Sequence, residues 1–124
     1  MPPRLSSKQQ VQLAFLQSLP PKLEQVKKGI DLMEALQADD TVVRGMYKTL
    51  DALKSHASQL NLANLADTAG LMSALARRGG GLQMKVRGLR ELYSKFRTEC
   101  DGALRAAMTP EEQPGRGGDP AGQK

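Results

Sequence analysis

Few side chains in this sequence are able to form or break covalent bonds. There is one histidine, His56, and one cysteine, Cys100. A single cysteine forms no intramolecular disulfide, and one His with one Cys leaves a zinc ion short of ligands. Gly79-Gly80-Gly81 is glycine-rich, yet it lacks the preceding strand and the following Lys-Ser/Thr that a phosphate loop requires. No Ser-His-Asp triad is arguable from one histidine in a helical pattern. The polar residues that do converge are charged or small: Arg44, Lys48, Asp51, Ser55 and Ser58, spaced four, three, four and three apart. That spacing places them in one stripe of a helix, with Lys54 between this stripe and the apolar one. By periodicity alone, such a stripe is a solvated face with ion pairs worth a few tenths of a kcal/mol each.

The helix that carries these residues is expected over about residues 41–60. On a wheel of 100° per residue its Val43, Met46, Leu50, Leu53, Ala57 and Leu60 fall within about 60° of one direction. The polar stripe is expected to point away from that side and to stand in solvent. Asp39 or Asp40 is placed to cap the first turn, and Asn61 to end the helix.

The same period runs through nearly the whole chain, and strict alternation is absent. A first helix is expected over residues 7–19, with Val11, Leu13, Ala14, Phe15 and Leu16 apolar, up to Pro20-Pro21. The prolines then open a second helix that runs to residue 37 and turns Leu23, Val26, Ile30, Met33 and Leu36 to one side. A fourth helix covers residues 62–78, ended by Gly79-Gly80-Gly81, and carries Leu65, Ala69, Met72, Leu75 and Ala76. A fifth covers residues 82–108, where Leu82, Val86, Leu89, Tyr93, Phe96, Cys100, Ala103 and Ala107 alternate in fours and threes like a bundle seam. Each of the four longer helices has interior glycine (Gly29, Gly45, Gly70, Gly88 and Gly102), read mostly as tolerated and not as marks of close approach. The fold class is all-α: an antiparallel four-helix bundle over residues 7–108 with a short N-terminal helix across one end. Residues 1–6 are read as a flexible N-terminus. Residues 109–124, rich in Pro, Gly and charge, are read as a disordered tail.

Composition narrows the function classes. At 124 residues the chain makes one domain, and its 40% apolar content supplies a core. With only two Phe, two Tyr and no Trp, that core is built of Leu, Ala, Met and Val. The net charge of +5 invites an acidic partner or serves solubility. Nucleic acid is not the expected partner: the basic residues are spread over all helices, with no aromatics interleaved and no base-reading motif. No apolar run is long enough for a membrane span or a signal peptide, so a cytoplasmic address is expected.

The segment Tyr47-Lys48-Thr49-Leu50-Asp51-Ala52-Leu53-Lys54-Ser55-His56-Ala57 resembles the signature of bacterial histidine phosphotransfer (HPt) domains, roughly F-R-x-x-H-x-L-K-G-S-A. Tyr47 and Lys48 match the aromatic-basic pair, Leu53 and Lys54 the Leu-Lys pair, and Ala57 the alanine, while Leu65-Ala66 falls where the next helix resumes. Asn61 stands at the turn usually held by glycine, and the resemblance extends over roughly residues 7–108. Three positions depart. The phosphate-accepting histidine falls on Asp51, the glycine after it on Ser55, and the next small residue on His56. An imidazole nucleophile is therefore missing, and a carboxylate among cations stays anionic and accepts phosphate poorly.

What the resemblance implies is a pseudo-HPt protein without its phosphoacceptor. Its partner-binding residues are Arg44, Lys48, Asp51, Lys54, Ser55 and Ser58. The implied partner is the receiver domain of a response regulator or a histidine kinase of a bacterial two-component pathway, which the protein would regulate or scaffold. No enzymatic activity and no cofactor or metal is expected, and the protein is expected to be a monomer. The sign of Asp51's contribution, clash or phosphohistidine mimicry, is open at this point. So are two alternatives: an active phosphotransfer intermediate using His56, and a generic helical adaptor that self-associates through the seam of the fifth helix.

Overall fold

Among the described residues five helices form where the period places them, and their bounds follow local chemistry. The computed structural model describes residues 5–110: α1 (Ser7–Gln17), α2 (Leu19–Glu34), α3 (Asp40–Gln59), α4 (Ala63–Arg77) and α5 (Leu82–Met108). The break between α1 and α2 comes at Ser18, just before the prolines, which occupy the first turn of α2 where no intrahelical donor is needed. Asp39 caps α3, its carboxylate accepting from the amide of Val42 at 2.9 Å.

Two helices end in the same way. Asn61 adopts φ +61°, and the amides of Leu62 and Asn61 donate to the carbonyls of Ala57 and Ser58. This is the Schellman arrangement, which Asn tolerates in its left-handed residue. At the end of α2 the left-handed residue is Leu36, also at φ +61°, with Gln37 and Leu36 donating to Leu32 and Met33. Sequence periodicity expected Leu36 on the buried side of α2. It stands 78% exposed instead, because the helix stops two residues earlier and the turn swings it outward.

The long helices are antiparallel to their neighbours. Tyr93 of α5 faces Leu23 of α2, while Arg90 faces Asp31 and Glu34. Thr68 of α4 donates to Glu99 of α5 at 2.6 Å, and Gly88 of α5 lies against Leu75. Lys54 of α3 crosses Gly70 of α4. The order around the bundle is α2, α3, α4, α5, with α3 and α4 the most closely associated pair. Met46, Leu50, Leu53 and Ala57 of α3 are buried as expected, together with Val26 and Ile30 of α2, Leu65, Ala69, Met72 and Ala76 of α4, and Val86, Leu89, Phe96 and Ala107 of α5. The seam of α5 packs on this chain's own helices: Val86, Leu89, Phe96 and Ala107 are buried, and Leu82, Tyr93, Cys100 and Ala103 are partly buried against them.

Helix α1 covers the end of the bundle where α5 finishes and α3 turns into α4. Gln9 is buried and donates to the carbonyls of Ala106 and Thr109, while Ser6 and Gln9 cap the helix reciprocally. Gln12 donates to the carbonyl of Leu60. Ser6 and Thr109, expected in the flexible N-terminus and the disordered tail, thus have defined roles. The rest of those readings, residues 1–4 and 111–124, lies outside the described residues.

The reading of the glycines needs correction. Gly29, Gly70 and Gly88 sit against Met46, Lys54 and Leu75, so close approach explains three of the five, while Gly45 and Gly102 face open space. Cys100 is half-buried, and burial pushes its thiol up to about 12, well away from thiolate chemistry at neutral pH.

Leu36 combines an exposed apolar side chain with a left-handed backbone that favours glycine. Leu36→Gly is expected to stabilise the fold by about 1 kcal/mol, read as a higher urea midpoint at unchanged slope.

Candidate functional site

The α3 stripe singled out by the sequence forms one edge of the α3–α4 face. Arg44, Lys48, Lys54, Ser55 and Ser58 are exposed. Lys54 leans across the seam: a Cβ placed on Gly70 would come within 3.2 Å of its Cδ and 3.4 Å of its Cε. The missing side chain at Gly70 is what lets the Lys54 stem lie on α4 with its ammonium at the surface.

Asp51 departs from the expected geometry. It does not stand free in solvent between Lys48 and Lys54. Its carboxylate turns toward α4, where the Ser73 hydroxyl donates to Oδ1 at 2.6 Å and the Arg77 guanidinium pairs with Oδ2. Arg77 in turn lies over the Tyr47 ring, its Cζ 4.6 Å from the centroid. Ser73 is buried, and its hydroxyl also lies 3.5 Å from the Tyr47 carbonyl. Both Asp51 oxygens therefore have donors from the neighbouring helix. The charge of Asp51 is met by Arg77, from a helix that the wheel of α3 does not include.

Arg44, Lys48 and Lys54 have no carboxylate at ion-pair distance among the described residues. The face therefore presents uncompensated positive charge around an acid that is already paired. The cations on the opposite side are placed differently: Arg90 bridges Asp31 and Glu34, and Lys27 pairs with Asp31. Those two partners, Arg90 foremost, hold the Asp31 carboxyl below its usual range.

His56 does not join Asp51. It lies five residues on, about 140° around the helix, and one side of its ring packs on Phe15 of α1, centroids 5.0 Å apart at 59°. Among the described residues no group of three or more His, Cys, Asp or Glu side chains is placed to hold a metal, and no helix is long and apolar enough to cross a membrane.

Sequence reasoning found the α3 half of this site and missed Ser73, Arg77 and Gly70 on α4. One signal was available: Ser73 follows Ala69 by four and precedes Ala76 by three, a hydroxyl set in an apolar stripe. Comparison with protein-family models, with curated proteins and with solved structures finds no match to this chain.

The two α4 donors to Asp51 differ in burial, and this separates their energetic roles. Ser73→Ala removes a donor from inside the seam and is expected to cost about 1 kcal/mol. Arg77→Met breaks a pair whose side chains are 51% and 42% exposed; solvent screening should hold its cost below that of Ser73→Ala. Urea unfolding of both variants tests the order.

Proposed function

We propose that this protein is a docking module on the histidine phosphotransfer plan that does not carry phosphate. It binds the receiver domain of a response regulator, or the histidine kinase that feeds it, and regulates or scaffolds that pathway. The observation that carries this reading is the α3 edge itself. Arg44, Lys48 and Lys54 are exposed and lack acidic partners, in a helix whose segment Tyr47 to Ala57 resembles the phosphotransfer signature. A receiver domain presents a cluster of acidic residues at its phosphorylation site, and these three cations complement it.

Phosphate transfer to this chain has poor chemical support. A phosphoacceptor needs a free lone pair held for in-line attack. Asp51 holds Ser73 on one oxygen and Arg77 on the other, so phosphorylation of either oxygen would displace one of these donors. His56 lies on another flank, against α1. The cations draw the partner in, and no nucleophile on that edge is poised to receive its phosphoryl group.

The expected outcome with receiver domains from the same organism is binding without transfer from a labelled aspartyl phosphate. Lys54→Glu reverses a charge in the middle of the edge and should weaken binding about tenfold or more, with helicity unchanged. Label appearing on this chain, mapped to His56 or Asp51, would mark an active intermediate and overturn the proposal.

A further inference from the structure

The paired acid at the centre of this face has a regulatory consequence. Arg77 is the best-oriented cation on it: the Tyr47 ring supports its flat face and Asp51 holds one edge. A guanidinium has five N–H donors in a planar fork that matches a carboxylate, so Arg77 is also the cation best suited to an incoming acidic side chain. The pair with Asp51 is open to solvent and is held weakly enough to exchange. Asp51 is anchored separately by buried Ser73, so it stays in place whether or not Arg77 remains with it.

We infer that Asp51 is an internal competitor: it occupies the Arg77 guanidinium that an acidic protein segment docking on the α3–α4 face would otherwise take. This rests on the docking reading and names what limits its strength. A docking carboxylate displaces Asp51 from Arg77, and Arg44, Lys48 and Lys54 add electrostatic attraction that strengthens as salt is lowered. The chemistry favours a protein carboxylate over a nucleic acid. Tyr47 is the one Phe, Tyr or Trp on α3 and α4, its ring lies under Arg77, and Asp40 and Asp67 interrupt any continuous track for phosphates.

The test is binding of a fluorescent oligoglutamate peptide at low salt, followed by anisotropy. Asp51→Asn keeps an acceptor for Ser73 and frees Arg77, and it should bind about tenfold more tightly than the wild type. Asp67→Asn makes the same charge change on α4 without touching Arg77, and should gain much less. In an Arg77→Gln background the gain from Asp51→Asn should vanish. Equal tightening by Asp67→Asn, a gain that persists without Arg77, no binding of the peptide to Asp51→Asn, or tighter binding of a single-stranded oligonucleotide of equal charge would each overturn the inference. Receiver domains separate this from the docking reading. Receivers that bind wild type and Asp51→Asn alike, with no coupling to Arg77, leave that reading standing and remove the competition. A peptide series that behaves as expected with no receiver binding keeps the competition and removes the phosphotransfer kinship.

Discussion

Small residues on the inner side of α4 bring its backbone close to α3, and the rest of the molecule is arranged around that contact. Ala66, Ala69, Gly70, Ser73 and Ala76 leave room for Leu50, Leu53 and Ala57 to be buried against them. A core nearly without aromatics gains its density from such close approach, because Leu, Ala and Met fill narrow gaps where a ring would hold the helices apart. Phe96 is the one large ring fully inside. Helices α2 and α5 close the other side, tied to each other by Arg90 with Asp31 and Glu34, while Gln9 ties α1 to the end of α5.

The candidate docking face is a by-product of the same contact. Because α4 lies so near, the Lys54 stem rests on Gly70 and the donors of Ser73 and Arg77 reach Asp51. That changes the electrostatic reading of α3. As an isolated helix, it sets Arg44, Lys48 and Lys54 against Asp51, and the acid offsets part of their field. With Arg77 counted in, the acid is neutralised locally and Arg44, Lys48 and Lys54 remain as a positive edge. Screening sets the range of that edge at about 8 Å at physiological salt, so it acts on partners already near contact.

Much of the fold was legible because it depends on local period. All five helices, the antiparallel bundle, an aspartate cap at 39 or 40, the Asn61 stop and the full extent of α5 follow from spacing and end chemistry. Leu36 was misplaced because its apolar identity suggested burial, whereas the Schellman turn dictates the direction of its side chain. The site was legible only on the α3 side. Asp51 is separated from Ser73 by 22 residues and from Arg77 by 26. A pairing across two helices depends on their register, which no single-helix wheel contains. Gln9 belongs to the same class, since its acceptors lie near the far end of the chain.

Amide chemical-shift mapping during titration with a receiver domain tests the central claim most directly, because it reports where a partner touches the folded chain. The account predicts perturbations along Arg44, Lys48, Lys54, Ser55 and Ser58 and across to Arg77, weakening as salt is raised. Perturbations confined to the α2–α5 side, or none at saturating receiver, would contradict it.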